Sequence, residues 1–144
     1  MSLKRVLFSC TQNAVRSVIA EALFGQLDCA ADYRVASCGV IEGAADGYAI
    51  TVMAEMGIDI KDRESQSFDA FSAEDFDLII SFSAEANDVA RKWARSNAHT
   101  QFWEVEPAKI DERSRENTLI SYRNLRDQIA SLLESNFGPF KQKT

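Results

Sequence analysis

Short apolar runs alternate with stretches of helical periodicity along most of the chain. The apolar runs predict four buried strands, at Val6–Ser9, Tyr33–Ser37, Asp77–Phe82 and Gln101–Val105. Apolar positions three or four residues apart predict helices over Ser17–Leu27, over Tyr48–Met56, from an N-cap at Ser83 to about Arg95, and over Glu116–Phe137. The tail Gly138–Thr144 follows neither pattern, and we expect it to be loose and the first few residues to be frayed.

Strands that alternate with helices predict a parallel sheet with helices on both faces. The expected fold class is therefore α/β, with a three-layer, open four-stranded parallel sheet in one domain that spans residues 1–144. Sheets of this kind bind ligands beyond the carboxyl ends of their strands. Because the predicted first strand ends at Cys10, we expect the site in the loop Cys10–Ser17.

The composition narrows the possible functions. Hydrophobic residues make up 46% of the chain and charged residues 26%, which is typical of a globular protein. No apolar run approaches the ~18 residues of a membrane span, so we expect no contact with a membrane. Sixteen Lys and Arg against 22 Asp and Glu give a net charge of −6, which excludes a general attraction for nucleic acid or anionic lipid. Any bound anion must therefore be held by a local site.

Three cysteines and one histidine limit the chemistry further. Cys10, Cys29 and Cys38 lack CxxC spacing, so we expect no metal site and no cofactor. An odd cysteine count, in a chain where we expect no export signal, is typical of reduced thiols and predicts a cytoplasmic location. His99 lies in the polar stretch Ser96–Thr100, ahead of an apolar run, and we interpret it as an exposed loop residue rather than a catalytic base.

The loop between the first strand and the first helix carries the candidate chemistry. A tight turn that enters a helix leaves peptide N–H groups unpaired, and the helix adds about half a positive charge. Such a turn receives a tetrahedral oxyanion, which Arg16 can clamp with two parallel donors. Cys10 lies in the same positive field, which favours a thiolate that can attack phosphorus. The candidate substrate-binding residues between them are Thr11, Gln12, Asn13, Ala14 and Val15.

The Cys-x5-Arg spacing alone is weak evidence, because it arises by chance in many proteins. Its context strengthens it, since a predicted strand precedes Cys10, a predicted helix follows, and Ser17 stands next to Arg16. Other phosphate-binding loops fit poorly. A Walker loop needs Gly-Lys-Ser/Thr and a dinucleotide loop needs several glycines, whereas this loop contains no glycine.

The segment Val6–Leu23, which contains this loop, resembles the N-terminus of the low-molecular-weight protein tyrosine phosphatase family. That superfamily also includes a branch of arsenate reductases. Further similarity extends the resemblance over about Val6 to Phe137, through Ser37-Cys38-Gly39, Met56–Ile60, Phe76–Ile80 and Tyr122–Asp127. The resemblance implies that Cys10 is the nucleophile, Arg16 the phosphate clamp and Ser17 the hydroxyl that donates to the thiolate. It also implies that Asn13 braces the loop with Ser37.

Departures from the family pattern affect the expected site. Where the family has a general-acid Asp before Pro, this chain has Glu106 on a segment one residue shorter, and a solvated loop carboxylate is the alternative interpretation. Gln12 occupies the position of a usual glycine and would be strained at positive φ. Arg63 replaces a family histidine, which we expect to weaken the Asn13 bracing. Aromatic residues that would clamp a phenyl ring are replaced by Ala108 and Lys109.

Three functions remain open. The first is a phosphatase that hydrolyses phosphomonoesters, either protein phosphotyrosine or small aryl phosphates, through a phosphocysteine intermediate. The second is arsenate reduction by the same loop with an external thiol, since the segment Ser81–Ala90 supplies no cysteine. The third is a non-catalytic module that binds phosphate or a phosphopeptide. In each case we expect a monomer or weak dimer, with a phosphorylated protein or a small phosphate or arsenate as its partner.

Overall fold

The computed structural model describes residues 3–95 and 98–142. Within these ranges four strands form one parallel sheet in the order β2-β1-β3-β4, namely β1 (Lys4–Gln12), β2 (Tyr33–Ile41), β3 (Leu78–Ser81) and β4 (His99–Phe102). The α-helices are α1 (Arg16–Phe24), α2 (Gly47–Ala54), α3 (Ala84–Trp93) and α4 (Arg115–Phe137). Short 3-10 turns, which the sequence pattern missed, occupy Asp28–Asp32, Phe68–Ala70 and Ala73–Asp75. The predicted α/β fold with a four-stranded parallel sheet is confirmed.

Alternating side chains of β1 divide the core into two layers. Val6 and Phe8 pack in one cluster with buried residues of α1, α2 and α4. Leu7 points to the opposite face, where it packs in a second cluster with residues of α3 such as Ala90. Cys10 belongs to the first cluster, so its side chain lies on the face that α1 covers.

Two strand boundaries differ from the sequence prediction. β1 continues past Cys10 because Gln12 still pairs with Ile41 of the neighbouring strand. β4 begins at His99 instead of Gln101, so His99 is an exposed strand residue and not a loop residue. The apolar pattern misplaced β4 because it is an edge strand with mostly exposed side chains, whereas the apolar Val105 is buried just beyond it. Backbone bonds from Trp103 and Val105 to β3 and Phe82 continue the pairing.

The C-terminal tail is anchored to the domain as far as it is described, in contrast to the predicted loose tail. Phe140 forms an antiparallel bridge with Leu27, and its ring packs against the larger core cluster. The Asp28 N–H donates to the Pro139 carbonyl at 3.0 Å, and the Lys141 N–H donates to the Gln26 carbonyl at 2.7 Å. The expected fraying concerns residues 1–2, which lie outside the described residues, as do residues 96–97 and 143–144.

None of the helices within the described residues is both long enough and apolar enough to cross a membrane.

Candidate active site

Cys10 lies at the carboxyl end of the central strand and faces the first turn of α1. Its Sγ is 2.9 Å from Ser17 Oγ and 2.7 Å from the carbonyl oxygen of Gln12. The contact with Gln12 requires the sulfur to donate, so this arrangement is that of a thiol. The side chain is only 1% exposed, and Ser17 is fully buried. The predicted pairing of Cys10 with the Ser17 hydroxyl is therefore present in the geometry.

The amide of Asn13 fixes the direction of the hydrogen bonds around the sulfur. Asn13 Oδ1 accepts from the Gln66 N–H at 2.9 Å, which leaves Nδ2 as the donor on the other side. Nδ2 donates to Ser17 Oγ at 2.9 Å and to Ser37 Oγ at 3.0 Å. Because Ser17 Oγ accepts from Asn13, its single proton is free to point at Cys10 Sγ. The geometry therefore allows Ser17 to act as a hydrogen-bond donor to the sulfur.

Arg63 strengthens the bracing of the loop, which corrects the expectation that replacing the family histidine would weaken it. Its Nη1 donates to Asn13 Oδ1 at 3.3 Å and to the Glu64 carbonyl at 2.6 Å. Its Nη2 bonds both Glu21 and Ser37 Oγ. Ser37 Oγ in turn donates to Glu21 Oε1 at 2.6 Å. A planar guanidinium with five donors can connect all of these groups at once.

Gly39 lets the Cys10 loop lie directly against β2, a requirement that the sequence analysis did not identify. A Cβ at this position would lie 2.5 Å from the Asn13 nitrogen and 2.5 Å from the Ile41 oxygen. Both neighbours are backbone atoms and cannot move aside without shifting the loop. The Gly39 N–H also donates to the Gln66 carbonyl at 2.8 Å, next to the bond from Gln66 to Asn13.

The loop itself differs from an open anion cradle. The Ala14 N–H donates to the Gln12 carbonyl at 2.8 Å, so one carbonyl oxygen accepts from both this amide and the Cys10 sulfur. Among the described residues no residue other than glycine has positive φ, so the strain expected at Gln12 is absent. The Gln12 carbonyl oxygen therefore lies beside the Cys10 sulfur, where its partial negative charge opposes the approach of an oxyanion.

Arg16 anchors the helix side of the loop to the ends of two other segments. Its Nη1 donates to the Val105 carbonyl at 2.9 Å and makes a longer contact of 3.4 Å with the Phe82 carbonyl. Arg16 also borders a cavity of about 520 Å³. This cavity is lined by Thr11, Gln12, Ala14, Val15, Arg16, Ala44, Ala45, Asp46, Pro107, Ala108 and Tyr122. Arg16 and most of the loop thus border one concavity, whereas the buried Cys10 side chain is not part of its lining.

Glu106 is not brought into this group of residues. Its side chain is exposed, and it does not line the cavity, although its neighbours Pro107 and Ala108 do. The carboxylate on the cavity wall is instead Asp46, which accepts from the Ala49 N–H at 3.0 Å and from the Tyr122 hydroxyl at 2.9 Å. The sequence analysis missed Asp46 as a site residue. Its position before α2 does carry the signal of a helix N-cap, since Asp is a preferred capping residue.

Tyr122 holds the Asp46 carboxylate from the side of α4. The tyrosine is 3% exposed, and its burial, together with the nearby Asp46 carboxylate, raises its pKa above the ordinary value of 10.0. It therefore remains a protonated donor near neutral pH. Its ring also packs against Tyr48 at a centroid separation of 5.2 Å.

The two other cysteines are poorly suited to act with Cys10. Cys38 is fully buried, and this burial strongly raises the pKa of its thiol. It packs in the cluster on the opposite face of the sheet from Cys10. Burial also raises the pKa of Cys29, which lies at the start of the turn after α1. No group of three or more His, Cys, Asp or Glu side chains within residues 3–95 and 98–142 is arranged to hold a metal ion.

Comparisons with known proteins agree with this geometry. The glutaredoxin arsenate reductase of Synechocystis sp. is 30% identical over 133 residues, 92% of this chain and 95% of the relative. An arsenate reductase of Halalkalibacterium halodurans is 27% identical over 135 residues, which cover 94% of this chain and 96% of that protein.

Solved structures give the same picture. An arsenate reductase in the oxidized state superposes with a TM-score of 0.76 at 28% identity, covering 92% of this chain and 95% of the other. The tyrosine phosphatase Wzb from Escherichia coli K30, in complex with sulphate, shares the fold, with a TM-score of 0.71, 21% identity and coverage of 95% and 100%. The model of the family described as "Low molecular weight phosphotyrosine protein phosphatase" matches residues 5–131, and the chain belongs to that family.

Proposed function

We propose that this chain is a cysteine-dependent arsenate reductase that takes its electrons from an external thiol. The observation that carries the proposal is the hydrogen bond from Ser17 to Cys10 Sγ, at 2.9 Å, next to a cavity that Arg16 borders. This bond supports a thiolate nucleophile beneath an anion site. The relatives named arsenate reductase, at 27–30% identity over more than nine-tenths of the chain, support arsenate as the anion.

The proposed reaction begins with attack of the Cys10 thiolate on arsenic. A sulfur–arsenic bond forms, and one arsenate oxygen leaves as water after taking up a proton. An external thiolate then attacks the Cys10 sulfur, and the electron pair of the sulfur–arsenic bond goes to arsenic, which is reduced from As(V) to As(III). The product is arsenite and a mixed disulfide on Cys10. A second thiol restores Cys10 and leaves with the first as a disulfide, so two thiols supply the two electrons.

The position of Glu106 favours reduction over ester hydrolysis. An ester oxygen that leaves as an alkoxide or phenoxide benefits from a proton donor, typically by a factor of about 100 to 10,000. Glu106 is exposed and lies outside the cavity lining. Arsenate has no ester oxygen and carries its own ionisable protons, so it depends less on such an acid. The external thiol is required because Cys38 is buried on the other sheet face.

Phosphomonoester hydrolysis is the second candidate, and one observation favours it. Pro107 and Ala108 border the cavity directly after Glu106, so a small movement of this loop would bring the carboxylate towards the site. The phosphatase description of the family agrees with this candidate. The phosphocysteine mechanism would use the same Cys10, Arg16 and Ser17.

A parallel turnover assay separates the two candidates. Purified protein is given arsenate with several thiol donors, and separately p-nitrophenyl phosphate and phosphotyrosine. We expect thiol-dependent arsenite formation that the Cys10→Ser variant abolishes. Hydrolysis of the phosphate esters with no arsenite formation from any thiol would reject the reductase proposal and favour the second candidate. Near-normal turnover of either substrate by Cys10→Ser would reject both.

A further inference from the structure

The cavity above the Cys10 loop is much larger than an oxyanion. Its volume is about 520 Å³. A tetrahedral ion of five heavy atoms occupies on the order of 100 Å³, given that a water molecule takes up about 30 Å³ in the liquid. The proposed reaction must also bring a second molecule, the reducing thiol, to the Cys10 sulfur. The remaining volume is sufficient for a small organic molecule beside the anion.

The outer walls of the cavity are formed by small side chains. Ala44 and Ala45 come from the segment before α2. Pro107 and Ala108 come from the segment after β4. The aromatic lining residue, Tyr122, packs against Tyr48 at a tilted angle and donates its hydroxyl hydrogen to Asp46. The small alanine side chains leave room for a short, flexible chain.

Residues of opposite charge border different walls of the cavity. Arg16 borders it beside the Cys10 loop, and Asp46 borders it on the wall that leads into α2. Each Asp46 oxygen accepts one hydrogen bond, from Ala49 N–H or from Tyr122, and each keeps a free lone pair. The dipole of α2 offsets about half of this negative charge. A negative end remains, at which an anion is disfavoured and a cation is favoured.

We infer that the outer part of this cavity binds the reductant, and that the reductant is a small thiol with an ammonium group that pairs with the Asp46 carboxylate. The inference rests on the proposed function for its biological role. The binding preference itself follows from the cavity and can be tested without arsenate. A thiol held in this way leaves Arg16, which borders the same cavity beside the Cys10 loop, for the oxyanion.

Thiol–disulfide exchange tests this preference directly. The Cys10 thiolate attacks one sulfur of a small disulfide, forms a mixed disulfide and releases the other half as a thiolate that takes a proton. The probes are cystamine, which carries ammonium groups, and bis(2-hydroxyethyl) disulfide, which is uncharged. Rates are measured by intact mass in a Cys29→Ser background, so that the partly exposed Cys29 does not contribute.

We expect the rate ratio of cystamine to the uncharged probe to fall roughly two- to fivefold in Asp46→Asn, as loss of one partly screened ion pair predicts. Asparagine keeps the N-cap of α2, and Asp46→Ser is a second capping variant without charge. Glu134→Gln removes an exposed carboxylate on α4 and should leave the ratio unchanged. An unchanged ratio in both Asp46 variants, or an equal fall in Glu134→Gln, would overturn the inference.

The turnover assay then separates this inference from the proposed function. With cysteamine as the thiol, Asp46→Asn should raise the KM for the thiol several-fold, while the KM for arsenate and the rate with 2-mercaptoethanol stay close to the parent values. A wild-type chain that forms no arsenite but keeps the Asp46-dependent exchange ratio would reject the reductase and retain the ammonium site. Equal losses with both thiols would show that Asp46 acts only through folding and would overturn the site.

Discussion

At the scale of single residues, Asn13 is the side chain whose hydrogen bonds position the groups around Cys10. Its oxygen accepts from Gln66 and Arg63, and this leaves its nitrogen to donate to Ser17 and Ser37. The amide orientation is fixed by these partners rather than by packing alone. The consequence is a chain of hydrogen bonds with one direction, from the backbone of Gln66 to the Cys10 sulfur. Such a chain favours negative charge at its far end.

Replacing Ser17 with alanine tests this chain of hydrogen bonds. A hydrogen bond to a charged group contributes about 1.5–3 kcal/mol, so turnover by Ser17→Ala should fall roughly 10- to 150-fold. Alkylation of Cys10 by iodoacetamide at neutral pH should slow as well. Ser9→Ala is the matched control, since Ser9 is an adjacent buried serine whose hydroxyl pairs with Ser81 at 2.7 Å. Similar losses in both variants would contradict a specific role for Ser17.

Arg63 gives a second prediction at this scale. Arg63→Ala removes the guanidinium that joins Asn13, Ser37 and Glu21, and leaves Glu21 without this partner. We expect the free energy of unfolding in urea to fall by about 1–3 kcal/mol, because a partly buried carboxylate loses its ion pair. Arg63→Lys should recover part of the stability but not the turnover, since a point charge cannot hold three groups in one plane. Full recovery of both by lysine would contradict the bridging role.

Sequence reasoning could place Cys10, Arg16 and Ser17 together because all three belong to one local loop pattern. It failed to identify Asp46, because this carboxylate enters the cavity through the packing of α2 and α4, which are distant in sequence. It could not determine the exposure of Glu106 either. The direction of a side chain on a loop depends on the loop conformation and not on the adjacent proline.

At the scale of elements, the close contact of the Cys10 loop with β2 depends on Gly39. A methyl group at this position would overlap the backbone of Asn13 and Ile41. Gly39→Ala should therefore lower the free energy of unfolding by about 1–3 kcal/mol and reduce turnover at least tenfold, as the loop is displaced. Circular-dichroism melts and the turnover assay measure both.

Gly47 is the matched control for Gly39. A Cβ there would meet no atom within 4 Å, and the residue is the first of α2. Gly47→Ala should leave turnover unchanged and stabilise the protein by up to about 1 kcal/mol, through the lower entropy of the unfolded chain. Destabilisation of similar size in both variants would mean that the contact of Gly39 with the loop is not the cause.

Helices α2 and α4 are connected by Glu55, which accepts from both Arg123 and Arg126. The hydrogen bond from Arg123, and then that from Arg126, lowers the pKa of Glu55 below its ordinary value of 4.5. A lowered folded-state pKa means that the stabilisation is complete above the unfolded value and is lost as the pH falls through the folded value. Glu55→Gln should therefore destabilise the protein at pH 7, and the difference from wild type should shrink below about pH 4. Urea unfolding at pH 7 and pH 3 measures it, and a difference independent of pH would contradict the ion-pair origin.

The elements themselves were predictable where periodicity and burial coincide. β1 and β3 carry buried apolar runs, and Ser83 caps α3 with its hydroxyl, as its position indicated. β4 was misplaced because an edge strand is exposed and has no such run. The end of α1 was placed at Leu27, three residues beyond Phe24, since the apolar period continues after the hydrogen-bonded turns stop.

At the scale of the whole molecule, the net charge of −6 opposes the binding of any anion, so the site depends on local positive groups. Arg16 and the first turn of α1 supply these groups at the carboxyl end of the sheet. Arg63 adds charge behind the loop, where Glu21 neutralises it. The net charge can be counted from the sequence. The ion pairs that decide which cationic side chains face the cavity form only in the fold and could not be predicted.

The last prediction concerns the C-terminal tail, whose residues 139–141 are bound to the segment that follows α1. Phe140 pairs with Leu27 and packs on the core, and two backbone bonds join residues 139–141 to residues 26–28. Ending the chain at Gly138 removes these contacts, and the partial burial of one aromatic ring predicts a loss of about 1–2 kcal/mol. For a domain of this size the melting temperature should fall by roughly 3–6 °C. The alkylation rate of Cys10 should not change, since residues 139–141 form their backbone hydrogen bonds with residues 26–28 and not with the Cys10 loop. A truncated chain that melts at the parent temperature would mean that the tail only rests on the surface.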